Sequence, residues 1–311
     1  MTRNTMAENN TIPESGFAKP IVRFAPSPNG LLHVGHARSA ILNRRFAKTR
    51  GGTFMLRIED IDLTRARPEF EVAIKEDLAW LGIDWPEPVR RQSEHFCEYQ
   101  SALDELRRLG LLYPAFLSRA EIATIVSEFE GRGRVWPRDP DGAPHYPGND
   151  RALSMSERDH RIAAGKPHAW RLDMQAALDG LGEKLSWRES GAGPKGETGQ
   201  VGADPGAWGD IILARRDVPA SYHLSVTVDD AVQSITDVIR GEDLFASTSV
   251  HRLLQHLLGL PVPAYHHHGL VRDPDGRKLS KSDGATSIAA LRQQGASPAD
   301  IIALAGLADA R

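Results

Sequence analysis

Two short stretches of the sequence carry residue types that can handle phosphate. One is Arg23-Phe24-Ala25-Pro26-Ser27-Pro28-Asn29-Gly30-Leu31-Leu32-His33-Val34-Gly35-His36, and the other is Lys278-Leu279-Ser280-Lys281-Ser282. In the first, an apolar run stops at two prolines and a glycine, and His33 and His36 then share one face of a helix start. A helix N-terminus offers N–H groups and the positive end of a dipole, which suits phosphate. In the second, Lys278 and Lys281 stand at i, i+3 in a polar loop, where they can reach negative charge developing on a leaving group. Taken singly, the histidines could be a helix-capping pair and the lysines a solvated charge cluster. Their occurrence together, in this order around an α/β pattern, disfavours both of those readings.

Such groups need a scaffold. A strand is predicted over 21–25, stopped by Pro26 and Pro28, then a helix over 34–49 ended by Gly51-Gly52. The mostly apolar run 53–58 fits a buried parallel strand that delivers Glu59-Asp60-Ile61-Asp62 to its C-terminal end, where ligands collect in open α/β sheets. Helices are predicted over 68–81 and 95–109. This alternation predicts an α/β fold with a doubly wound, Rossmann-type parallel sheet. The stretch 116–204 is rich in Gly, Pro, Arg and Asp and reads as a loop-rich insertion. Strands resume over 210–214 and 234–239. A helix follows with Val250, Leu253, Leu254, Leu257 and Leu258 on one stripe, closed by Gly259. Residues 263–271 lead into the lysine loop, and Ser297 with Pro298 starts a last short helix. The expected division is a disordered tail over 1–19 and the first half of a nucleotide-binding domain over 20–115. The insertion occupies 116–204, the second half 205–271, and the lysine loop with a helical tail 272–311.

Composition narrows the class. The chain has 311 residues, 41% hydrophobic and 25% charged, as in ordinary soluble proteins. No apolar run is long enough to span a membrane, and the polar first 19 residues lack the apolar core of a signal peptide. A single cysteine, Cys97, excludes a disulfide within the chain and suits a reducing cytosol. A net charge of −3 argues against indiscriminate nucleic-acid binding while leaving room for a local basic face. A cytoplasmic monomer with no membrane partner is expected.

Together the histidine and lysine stretches resemble the two signatures of class I aminoacyl-tRNA synthetases. Arg57-Ile58-Glu59-Asp60-Ile61-Asp62, Ser221-Tyr222-His223-Leu224 and Val238-Ile239-Arg240-Gly241-Glu242-Asp243-Leu244 resemble the glutamate-specific subfamily. Tyr113-Pro114-Ala115-Phe116, the stretch 140–147 and the little chain after Ser282 resemble its short paralogues that act on queuosine in tRNA(Asp) and lack an anticodon-binding domain. The resemblance implies activation of L-glutamate by ATP with Mg2+, then transfer to the queuosine in the anticodon stem-loop of tRNA(Asp), without charging tRNA(Glu). It implies that the catalytic residues His33 and His36 hold the triphosphate, that Gly35 lets adenosine pack on the helix start, and that Lys281 and Lys278 neutralise the leaving pyrophosphate. The implied glutamate pocket is Arg23, Ala25, Ser27, Glu59, Tyr222 and Arg240. Arg23 would grip the side-chain carboxylate with its bidentate fork, and Glu59 would take the ammonium group. As plain structure, the same two residues could be a surface arginine and a strand-end salt bridge. Asp60 and Asp62 are expected to support loop structure or RNA contacts.

Relatives often hold zinc through Cys-x-Cys and Tyr-x-x-x-Cys; here those positions are Ala115, Leu117, Tyr146 and Asp150, which cannot make a structural zinc site. No structural zinc is expected, and the insertion should be held by packing through Trp136, Tyr146 and prolines. A strand would split His266-His267-His268 between its two faces, so a structural role is expected for them. Arg132, Arg134, Arg138, Arg151, Arg158 and Arg161 are candidate contacts to RNA phosphates. Two other functions stay open: a truncated glutamyl-tRNA synthetase acting on the tRNA 3′ end, and a catalytically weakened RNA-binding paralogue. Intact His33, His36, Lys278 and Lys281 count against the second, and the glutamate-pocket residues count against a small-molecule nucleotidyltransferase.

Overall fold

The computed structural model describes residues 19–271 and 286–308, so the expected tail and the lysine loop with Lys278 and Lys281 lie outside the described residues. Strand β1 (Ile21–Phe24) ends before Pro26, and helix α1 (Val34–Thr49) begins at the His33 cap. The chain then turns back tightly. A Cβ on Gly52 would stand 2.2 Å from the Pro20 carbonyl oxygen, so only glycine admits this approach. Strand β2 (Thr53–Ile58) runs parallel to β1, with Ile21 opposite Thr53 and Phe24 opposite Leu56. Helix α2 (Pro68–Trp80) crosses to the short β3 (Arg90–Arg91), which extends this sheet beyond β2.

Helix α3 (Phe96–Arg108) leads to β4 (Leu112–Ala115), α4 (Arg119–Glu130), α5 (Met155–Ala163), β5 (Ala169–Leu172) and α6 (Met174–Asp179). Next come β6 (Ser186–Glu189), β7 (Gly199–Gly202), β8 (Ile212–Arg215) and α7 (Tyr222–Val232). The chain continues through β9 (Asp237–Gly241), α8 (Ser247–Leu257) and β10 (Ala264–His268), and the last described helices are α9 (Ile288–Gln293) and α10 (Pro298–Leu304).

Strands β6, β10 and β9 form a second parallel sheet with β7 as its antiparallel edge. The two parallel sheets meet at β1 and β9. The Thr236 N–H donates to the Ile21 carbonyl at 2.9 Å, and the Ile21 N–H donates to Thr236 Oγ1 at 2.8 Å. Their starts are thereby joined, and their C-terminal ends surround one cleft. One apolar core lies between α1, α2, α9, α10 and the β1–β2 sheet, and a second lies among α3, α7, α8 and the antiparallel sheet.

Three features depart from the sequence-based expectation. Strand β8 was expected to resume the parallel pattern, yet it pairs antiparallel with β5, which in turn pairs with β4. Strand β6 lies inside the stretch expected to be an insertion, yet it joins the main sheet beside β10, with Tyr265 opposite Glu189. A four-residue strand contains no record of its partner, so the pairing was decided by tertiary context. Helix α4 begins with a Ser118–Glu121 capping box in that same stretch. Among the described residues no helix is long and apolar enough to cross a membrane.

Candidate active site

Every described candidate, namely Arg23, Ala25, Ser27, His33, Gly35, His36, Glu59, Tyr222 and Arg240, lines one cleft of about 440 Å3 at the ends of β1 and β9. The lysine motif lies outside the described residues, but both described flanks reach this place. Val271 lines the cleft, Ser287 forms a bridge with His33, and the Ile288 N–H donates to the Leu32 carbonyl at 2.8 Å. A second cleft, of about 310 Å3, shares Ser27, Asn29, Glu59 and Tyr222 with the first and is bounded by Asp62, Arg65 and Arg215.

The two histidines start α1 as a reciprocal cap. The His33 Nδ1 accepts from the Gly35 N–H at 3.1 Å, and the His33 N–H donates to the His36 Nδ1 at 3.1 Å. Their ring centroids are 3.8 Å apart. With both Nδ1 atoms accepting, the proton of each neutral ring sits on Nε2. The capping function and the phosphate-handling potential are therefore two uses of one geometry. A Cβ on Gly35 would come within 2.9 Å of the His33 ring, so glycine there protects the cap.

Arg23 and Glu59 belong to a buried charge network whose other members the sequence reading did not single out. Arg23 gives Nε and one Nη to Asp230, at 2.9 and 3.2 Å. Arg57, with no exposed surface, bonds Asp230 at 2.8 Å and Glu59 at 3.1 Å. Asp229 beside it accepts from Tyr99, Gln92 and Arg90 at 2.7–2.8 Å. Burial pushes the Glu59 carboxyl above the usual carboxylate range, although Arg57 and Arg23 oppose it. For Asp230 burial pushes the same way, but the two guanidinium groups outweigh it and hold the carboxyl down. The second Nη of Arg23 carries no bond to any described residue, so this fork keeps donors on the cleft side.

Arg240 is arranged differently. Its Nε donates to His267 Nε2 at 3.1 Å, one Nη donates to His251 Nδ1 at 3.2 Å and to the Tyr222 hydroxyl at 3.5 Å, and the other to the Leu244 carbonyl at 3.1 Å and Thr248 Oγ1 at 2.7 Å. All five of its N–H donors are thus engaged, and every acceptor is neutral. Arg240 lines the cleft and is at the same time a buried hub, two of whose partners, Tyr222 and Leu244, also line the cleft. His251 passes the pattern on to His223 at 3.2 Å. Burial and the nearby Arg240 charge lower the His223 pKa to about 4.

Residues 20–308 match the family model for the catalytic domain of class I tRNA synthetases for glutamate and glutamine. The chain belongs to that family. It is a ligase of the aminoacyl-tRNA synthetase type, with the α/β parallel-sheet catalytic domain of the class. It is 46% identical to a glutamyl-Q tRNA(Asp) synthetase from Rhodobacter capsulatus over 92% of this chain and 100% of that protein. To a protein of the same name from Symbiobacterium thermophilum it is 39% identical, over 92% and 87% of the two chains. Among solved structures, a glutamate tRNA ligase from Elizabethkingia meningosepticum superposes with a TM-score of 0.75 at 30% identity, covering 93% of this chain and 60% of that one.

Elsewhere in this synthetase domain the charged residues have local tasks. Asp60 accepts from the Ser93 N–H and hydroxyl at 2.8 and 2.6 Å, and Asp62 accepts from Thr64 and Arg65. At the four zinc-type positions, the Tyr146 hydroxyl donates to Asp150, which also accepts the Phe116 N–H at 2.8 Å, and Ala115 and Tyr146 share a small apolar cluster. Trp136 donates to the His145 carbonyl at 3.0 Å and meets Phe129 edge-on. Of the arginines expected to meet RNA, Arg138, Arg151 and Arg161 pair with Glu130, Asp173 and Asp150, and Arg158 donates to the Arg151 carbonyl. Arg132 and Arg134 remain on the surface. Of the network's other members, Arg57 had one available signal: it sits within a family-like motif, where an ionisable residue among apolar neighbours must find a buried partner. Asp229 and Asp230 lie outside the quoted motifs, and His267 was expected only to be structural.

Proposed function

We propose that this enzyme activates L-glutamate with ATP, which enters as its Mg2+ complex, and transfers the glutamyl group to the queuosine at the wobble position of tRNA(Asp). The observation that carries this reading is the similarity to the Rhodobacter protein over that protein's whole length. The cleft chemistry agrees with the activation step. One oxygen of the glutamate carboxylate attacks the α-phosphorus, the bond to the bridging oxygen breaks, and pyrophosphate leaves. The protein supplies no nucleophile, so its work is alignment and stabilisation of spreading negative charge.

In this reading His33 and His36 hold the triphosphate through Nε2, and adenosine packs at Gly35. Lys281 and Lys278 meet the departing pyrophosphate. The donors that Arg23 keeps on the cleft side take the side-chain carboxylate, Glu59 takes the ammonium group, and Ala25 and Ser27 form the nearby wall. Tyr222 accepts from Arg240, so its own O–H turns toward the ligand. The adjoining cleft, which shares Ser27, Glu59 and Tyr222, admits the acceptor nucleotide. A cyclopentene hydroxyl of queuosine then attacks the adenylate and releases AMP. Unpaired loop bases can be splayed out for such an approach. Transfer of labelled glutamate to purified tRNA species, with and without queuosine, tests the proposal. Label on queuosine-containing tRNA(Asp), or on its isolated anticodon stem-loop, is expected. Label on the 3′ end of tRNA(Glu) would move the assignment to a glutamyl-tRNA synthetase.

A further inference from the structure

Glu189 and His267 are fully buried and lie outside the reacting groups named above. Glu189 ends β6 and His267 lies in β10, the strand between β6 and β9. The Glu189 Oε1 accepts the Gly191 and His267 backbone N–H groups, both at 2.9 Å. Its Oε2 meets His267 Nδ1 at 2.6 Å and accepts the Trp187 indole N–H at 3.3 Å. The other ring nitrogen, Nε2, faces the Arg240 Nε–H at 3.1 Å and therefore accepts. The tautomer follows: the ring proton is on Nδ1 and points at Glu189. Donation then runs outward from Arg240 both ways, through His267 to Glu189 on one side and to the Tyr222 hydroxyl on the cleft on the other.

We infer that Glu189 and His267 are positioning residues that fix the rotation of the Arg240 guanidinium and, through it, the direction of the Tyr222 hydroxyl toward a bound carboxylate. The inference rests on the reading of Tyr222 and Arg240 as part of the glutamate site. His267 keeps the counter-carboxylate one ring away from Arg240. The guanidinium consequently stays oriented without being neutralised by direct contact, and its field reaches the cleft.

The substitution that separates this from a bulk structural role is Glu189→Gln. An amide cannot accept from both backbone N–H groups and from His267 as well. With its NH2 toward the ring, it forces the His267 proton to Nε2, where it opposes the Arg240 Nε–H. In ATP–pyrophosphate exchange, Glu189→Gln is expected to raise the KM for glutamate by about tenfold or more, with the KM for ATP nearly unchanged. His267→Gln keeps an acceptor for Arg240 that has no tautomer, so the double variant E189Q/H267Q should recover most of the loss. An unchanged glutamate KM, an equal rise in both KM values, or no recovery in the double variant overturns the inference. Arg240→Lys run alongside separates the two levels. If that variant also leaves the glutamate KM unchanged, the reading of the site itself fails. Should Glu189→Gln not fold, 15N spectra of the histidine rings of the wild-type protein decide. A proton on Nδ1 of His267 is expected, and one on Nε2 overturns the inference.

Discussion

Arg23 and Arg240 lie near the ends of neighbouring strands, and both are almost completely buried, yet they are partnered in opposite ways. Arg23 faces Asp230 directly, so its charge is largely cancelled, but the pair uses only part of the fork and leaves donors over. Arg240 has all its donors occupied by imidazoles, hydroxyls and a carbonyl, so its directional capacity is used up while its field is not. A carboxylate partner removes field and spares donors, whereas neutral partners do the reverse. In the proposed reading, a ligand carboxylate placed between them meets hydrogen-bond donors from one arginine and positive potential from the other. Their surroundings follow the same division: ionic around Arg57, Asp229 and Asp230, and imidazole-rich around His223, His251 and His267.

The largest effect that would break this comparison is on the ionic side. Asp230→Asn leaves Arg23 and Arg57 without their shared carboxylate and should cost roughly 3 kcal/mol of unfolding free energy, read by urea denaturation. A loss below about 1 kcal/mol would mean that the two guanidiniums find other partners. Next comes Arg23→Lys, which keeps the charge and loses the fork. It should raise the KM for glutamate by about 10- to 100-fold and leave the KM for ATP alone. Equal exchange with glutamine and glutamate in the wild type would remove the reason for assigning Arg23 to the side-chain carboxylate.

A smaller effect concerns pH and belongs to the imidazole side. Folding lowers the His223 pKa from 6.5 to about 4, so as pH falls the unfolded chain takes up that proton first. Stability from this residue is complete above pH 6.5 and is lost as pH drops toward 4, about 2 kcal/mol of it between about pH 7 and pH 5. Asp77 acts with the opposite sign, because burial pushes its carboxyl up to about 6 and the folded state then binds the proton first. The test is therefore a difference: the unfolding free energy of the wild type minus that of His223→Asn, followed over this range. Asp230, held below the usual carboxylate range, stays ionised throughout. A difference that does not change with pH would show that His223 is solvated. The smallest effect is a control. Removing the exposed Glu105–Arg108 pair by Arg108→Ala should leave the melting temperature unchanged, unlike the loss of a buried pair.

Local signals in the sequence were enough to determine the start of the site. Two prolines and a glycine end β1, His33 and His36 begin α1 on one face, and β2 delivers Glu59 to the sheet's end, because turns, caps and short apolar runs are encoded within a few residues. Family-like motifs then pointed to Tyr222 and Arg240. Helix α7 shows where that legibility stops. Leu224 to Asp230 are buried without a break, so no polar stripe marks it as a helix, and the sequence reading passed over it. Its Asp230 meets Arg23 across 207 positions, and Glu189 meets His267 across 78. Buried ionic partners of this kind have no periodicity, since nothing in the neighbourhood of one residue states the charge of the other. Only the packing of α7 against the ends of β1 and β2, and of β6 beside β10, decided which arginine kept its donors and which kept its field.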